Sequence, residues 1–121
     1  MIIMHIRSEE KNRAICDIAA RIGEKVLKIG GRELNRTLIG LYSGKELTGD
    51  AKIPPMYQMP ELLVFAAMPE KKLDAFLEAY RAEGLEPVAL KAVTTLHNAG
   101  WTVYELIEQL KKECGGNAAG R

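Results

Sequence analysis

Two apolar runs, Ile2-Ile3-Met4-His5-Ile6 and Leu62-Leu63-Val64-Phe65-Ala66, constrain the fold more than any other feature of the chain. Both are short and nearly free of polar interruption, which suits strands buried in a sheet. Each is followed by a helical stripe. After the first run, Ser8 stands as an N-cap with Glu9 and Glu10 behind it, where acids favour a helix start. Ile15, Ile18, Ala19 and Ile22 then recur at helical spacing before Gly23, which predicts a helix over 9–22. After the second run, Pro69 and Glu70 open a stripe of Leu73, Phe76, Leu77 and Tyr80 that ends at Gly84. That predicts a helix over 70–83.

Each helix leads to another strand pattern. Lys25-Val26-Leu27-Lys28-Ile29 is broken by Gly30-Gly31, and the other begins at or just after Pro87 and runs to Val93. Leu34, Leu38 and Leu41 suggest a short helix over 32–41, against the weakening effect of Thr37, Ile39 and Gly40. The last helix is the best marked. Thr102 and Glu105 have capping-box spacing, and Trp101 and Leu106 have the spacing of a hydrophobic staple. Val103, Leu106, Ile107 and Leu110 form its apolar face.

This order, two β-α-β units each with a helix after it, predicts an α+β fold: a ferredoxin-like two-layer sandwich with extra helices. A small three-layer parallel α/β sheet is the alternative, since four helices could cover two faces. The 121 residues form one globular domain over 1–114, with a long internal loop at 43–60 and a flexible tail at 115–121. A loop of that length, punctuated by Pro54, Pro55 and Pro60, is uncommon inside a compact domain.

Composition removes several classes. There are 17 basic and 16 acidic side chains; the half ending at Pro60 holds 10 basic and 7 acidic, the rest 7 and 9. Neither half has the basic excess of a dedicated nucleic-acid domain. Cys16 and Cys114 match no metal spacing and no redox pair. No leader is legible at the start, and no apolar run approaches the ~20 residues that span a bilayer. A reduced, cytoplasmic protein without membrane attachment is expected.

The residues with most chemical potential lie between the fourth strand and the last helix. Lys91, Thr94, Thr95, His97, Asn98 and Trp101 offer a cation, hydroxyls, an imidazole, an amide and a flat ring beside a helix N-terminus. They are the candidate ligand-binding residues. Each also has a plain structural reading: the threonines and Asn98 can satisfy turn amides, and Trp101 can cover the cap. Neither Asp, Ser nor Cys stands near His97 in sequence to make a nucleophile–base pair. No catalytic residue, metal ligand or cofactor is therefore assigned. Gly30-Gly31 has the setting of a phosphate loop but lacks both the third glycine and a Gly-Lys-Ser/Thr ending. Tyr42, Met56, Tyr57 and Met59, around the long loop, are candidates for a protein contact.

One stretch carries a family resemblance. Pro60-Glu61-Leu62-Leu63-Val64-Phe65-Ala66-Ala67-Met68, then Leu90-Lys91-Ala92-Val93-Thr94, His97-Asn98, Trp101, Glu105-Leu106 and Leu110 resemble a bacterial domain family of unknown function, DUF3783, over residues 60–113. The specific part is Leu-Lys-Ala-Val-Thr followed by Asn and Trp. The resemblance implies a bacterial domain and brings no assigned activity or site residue with it.

A non-catalytic binding or regulatory module is the expected function, with a second copy or another protein as partner and a small-molecule ligand left open. The alternatives are a small anion- or metabolite-binding enzyme built on the 91–101 turn, and a nucleic-acid-associated protein, which the charge balance disfavours.

Overall fold

The computed structural model describes residues 1–116, with side chains through Glu113. Four strands, β1 (Ile2–His5), β2 (Val26–Lys28), β3 (Leu62–Phe65) and β4 (Leu90–Val93), form one sheet in the order β2-β1-β3-β4. Helix α1 (Glu9–Ile22) joins β1 to β2, and α3 (Glu70–Ala82) joins β3 to β4. Within each unit the two strands are parallel neighbours. The units meet through an antiparallel pairing of β1 with β3, in which Ile3 faces Val64 and His5 faces Leu62. This is an α+β fold on a mixed sheet of β-α-β units, consistent with a ferredoxin-like sandwich. The antiparallel β1–β3 contact excludes the fully parallel alternative.

The two extra helices add a third layer. Side chains alternate across a strand, and both faces of β1 and β3 are apolar. Ile2, Met4, Leu63 and Phe65 pack with Ile15, Ile18, Ala19, Phe76 and Val88 beneath α1 and α3. Ile3, Leu62 and Val64 pack on the other face with Leu34, Leu38, Leu41, Val103, Leu106 and Ile107. Central strands this apolar, with His5 their one polar residue, must be covered on both sides, and the two helices that follow the units supply the second cover.

The helix predicted over 32–41 is not continuous. A single 3-10 turn, Gly31–Glu33, is followed by α2, Leu38–Ser43. Thr37 causes the break: its backbone is extended and its Oγ1 accepts the Gly40 amide, so it caps a new helix instead of continuing an old one. The last helix, α4, runs from Val103 to Gly116. Of the expected tail, residues 117–121 lie outside the described residues.

A reciprocal contact joins the two extra helices. Thr37 and Thr102, the residues before α2 and α4, face each other in an isolated antiparallel bridge. Leu38 N–H donates to the Trp101 carbonyl at 2.9 Å, and Val103 N–H donates to the Arg36 carbonyl at 3.0 Å. The expected capping box forms as well: Glu105 N–H donates to Thr102 Oγ1 at 3.1 Å, and Thr102 N–H donates to Glu105 Oε1 at 2.8 Å. Each helix start is thus satisfied partly by its own threonine and partly by the chain entering the other helix. The weak likeness between the halves of the sequence becomes an approximate two-fold arrangement of the structure, with β1–β3 and Thr37–Thr102 near its axis.

Glu61 fastens the start of α1 to β3. Its carboxylate accepts the Arg7 amide at 2.9 Å, the Ser8 amide at 3.3 Å and the Lys11 ammonium at 2.9 Å. Burial pushes this carboxyl up, but the Lys11 ammonium and the two amides outweigh it and hold it below the ordinary carboxylate value. A depressed folded-state pKa gives stability that is present above the unfolded value and lost as pH falls through the folded one. Acid titration of unfolding should therefore show wild type losing stability below about pH 4.3, the unfolded glutamate range. Glu61→Gln should lose about 1–3 kcal/mol at pH 7 and show a shallower acid slope. An identical slope in the variant would remove Glu61 from this role.

Candidate functional site

The turn after β4 spends its polar groups on its own backbone. Thr95 Oγ1 accepts the amides of His97 and Asn98 at 3.2 and 3.1 Å. Asn98 Oδ1 accepts the Thr95 amide at 2.8 Å, and its Nδ2 donates to the Val93 carbonyl at 3.1 Å. Thr94 Oγ1 accepts the Ala67 amide at 2.9 Å, bracing the β3–α3 turn, where Ala67 has φ +51°. His97 is exposed and meets Trp101 edge to face, with centroids 5.3 Å apart. Trp101 is half-buried against the α4-side core. At the start of α4, Val103 N–H goes to Arg36, Tyr104 N–H to the Leu34 carbonyl, and Glu105 N–H to Thr102. The first three amides, the ones that would hold an anion, are engaged.

Lys91 is not part of that group. It is the second residue of β4, pairs in register with Leu63, and its exposed side chain lies on the α3 face of the sheet.

The long loop is folded onto the body. Asn35 holds it: its Nδ2 donates to the Gly49 carbonyl at 2.7 Å, its Oδ1 accepts the Ala51 amide at 2.9 Å, and its carbonyl accepts the Gly49 amide. Met59 is buried in the α4-side core, and Tyr42 is half-buried against it. Tyr57 meets Tyr104 edge to face at 5.1 Å and donates to Glu108 Oε2 at 3.1 Å, with the Lys111 ammonium over its ring. Burial pushes the Tyr57 hydroxyl above its ordinary pKa, which keeps it a donor. Of the four contact candidates, only Met56 projects fully, at 97% exposure and with φ +59°.

A cavity of about 270 Å³ opens instead between α3 and β4, lined by Leu63, Phe76, Leu77, Tyr80, Leu85, Pro87 and Val88, with Arg81 and Lys91 as its charged residues. Its origin is legible locally. At this level β3 presents Leu63 to α3, whereas its neighbour β4 presents Lys91. A lysine lays its stem on apolar surface and takes its ammonium to water, so the space a leucine would fill stays open. Gly84, at φ +72°, ends the helical turn, and Tyr80 Oη donates to the Glu86 carbonyl at 2.7 Å, fixing the loop that forms the far wall. Phe76 is the floor. It is fully buried, edge to face with Phe65 at 5.2 Å and stacked parallel to Tyr80 at 6.2 Å. A second space of about 290 Å³ continues along β4 past Leu77 and Lys91 to Leu73 and Val93. A space of about 370 Å³ toward α4 shares Pro87, Val88 and Lys91 with this cavity and is lined further by Leu90, Leu110 and Glu113, an acid.

Sequence reasoning reached Lys91 but assigned it to the turn, and it read Leu77 and Tyr80 only as a core stripe. Arg81, Leu85 and Val88 were not singled out. The available signal was a lysine at a strand position opposite an apolar one, which marks a face left partly unfilled.

Among the described residues, no group of histidine, cysteine, aspartate and glutamate side chains could hold a metal ion. Cys16 is a free thiol, and His5 Nδ1–H donates to the Ile29 carbonyl at 2.9 Å. No described helix is long and apolar enough to cross a membrane. No curated protein and no solved structure matches the chain significantly. Residues 61–114, a little under half of the chain, match the family described as Domain of unknown function (DUF3783), so the stretch that carries the α3–β4 cavity is similar to that family.

Proposed function

We propose that the protein is a non-catalytic binding module that takes a small ligand in the cavity between α3 and β4. One observation carries this reading: an apolar, partly enclosed space at a sheet edge, with a rigid aromatic floor and a few polar groups at its rim, which is the usual form of a small-molecule site. The polar turn at 94–101 supports the non-catalytic part. Its hydroxyls and amide serve the backbone, and the His97 imidazole meets Trp101 edge to face, with no side-chain hydrogen bond from its ring to a hydroxyl, thiol or carboxylate among the described residues.

Strand addition at the β4 edge is less well favoured. The strand has four residues, with Lys91 near its middle and Pro87 just before it. Short length, lysine and proline are the devices that blunt an edge.

Backbone amide spectra recorded with a library of small organic fragments test the reading. Shifts should concentrate on Leu63, Leu77, Tyr80, Leu85 and Val88. Shifts confined to residues 94–101 would transfer the function to the turn and refute the cavity.

A further inference from the structure

The charge around the cavity narrows the ligand, on the basis of the binding-module reading above. Arg81 and Lys91 both line it, and its lining contains no carboxylate. Among the described residues neither cation forms an ion pair, whereas Lys11, Lys72 and Lys111 each have a glutamate. The space toward α4 shares Pro87, Val88 and Lys91 with this cavity and adds Glu113, which makes no ion pair with Lys91. Two cations without an ion pair, at an aliphatic and aromatic pocket, match a molecule with an apolar body and one negative end. Burial also raises the Tyr80 hydroxyl pKa, so no phenolate opposes an anion from the wall.

Size sets the body. At ~30 Å³ per water, a volume of about 270 Å³ holds about nine waters, hence a ligand of about ten non-hydrogen atoms. We propose that the α3–β4 cavity binds a small amphipathic carboxylate, with its apolar body against Phe76, Leu77 and Val88 and its carboxylate on Arg81 and Lys91. A guanidinium can hold a carboxylate through two parallel hydrogen bonds, and the ammonium adds a point charge.

The test uses octanoate, 1-octanol and octylamine as probes, with affinity read from the amide shifts of the cavity residues. For so small a ligand, octanoate should bind with a Kd on the order of a millimolar. It should bind about tenfold tighter than octanol and show no competition from octylamine. The double variant Arg81→Gln/Lys91→Gln should lose about tenfold in octanoate affinity and keep its octanol affinity. Both side chains are exposed, so the fold should survive, and an unchanged remainder of the spectrum verifies that. Added salt should weaken octanoate alone. Equal binding of octanoate and octanol in the cavity would overturn the carboxylate assignment and leave the binding module standing. No shift at the cavity with any of the three probes would overturn both.

Discussion

Phe76→Ala should lower the free energy of unfolding by about 3–5 kcal/mol, the range for an aromatic removed from a packed core. Phe76 is fully buried, and its ring bridges Phe65 of β3 and Tyr80 of α3. Removing it deletes two aromatic contacts and joins a new void to the existing cavity. Small domains have about 5–15 kcal/mol in total, so the variant should stand near the limit of folding. Phe76→Leu restores most of the volume and should cost much less, about 1–2 kcal/mol. Chemical denaturation of both variants separates the outcomes. A loss below about 1 kcal/mol for the alanine variant would mean that α3 is not seated on the sheet through this ring.

Gly49→Ala should cost about 2–4 kcal/mol, although the residue lies in a loop and adds only a methyl group. A Cβ at this position would lie 2.5 Å from Thr102 Cγ2, and Thr102 is 1% exposed. The threonine cannot rotate away freely, since its Oγ1 holds the Glu105 amide and its backbone pairs across to Thr37. Overpacking costs about 1–3 kcal/mol, and loss of the cap adds about 1 kcal/mol. Thr102→Ser removes the methyl group and keeps the hydroxyl. It should be mild alone and should rescue Gly49→Ala. A double-mutant cycle measures this coupling directly, and strict additivity of the two changes would show that the loop does not close on the cap.

Much of this fold is legible in the sequence because local signals and burial agree. Ser8, Gly23 and the Ile15–Ile22 stripe mark α1, and Thr102 with Glu105 marks the start of α4. The apolar runs of β1 and β3 require cover on both faces, and the four helices provide it. What was missed depends on contacts between distant parts of the chain. Thr37 reads as a weak helical residue by propensity, yet it is the cap opposite Thr102. The clue was the shared pattern of a threonine followed by an apolar residue, with leucine four positions on: Thr37, Leu38 and Leu41 against Thr102, Val103 and Leu106. The packing of the loop at 43–60 is not legible from its proline and glycine content, because Asn35, which holds it, lies outside it.

The candidate site was harder to see for a related reason. Polar residues crowded into one turn attract attention, but a turn consumes donors and acceptors to close, as Thr95 and Asn98 do. A cavity is made by what is missing. Here it arises from one strand position, Lys91, together with a loop from Gly84 to Val88 that has no chemical motif.

The most direct test of the cavity as the binding site compares fragment binding in two variants. Leu85→Trp places a large ring on the cavity wall and should abolish binding while the folded spectrum persists. His97→Ala removes the most reactive side chain of the 94–101 turn and should leave the affinities unchanged. The reverse pattern, with binding kept in Leu85→Trp and lost in His97→Ala, would contradict the account and place the function at the turn.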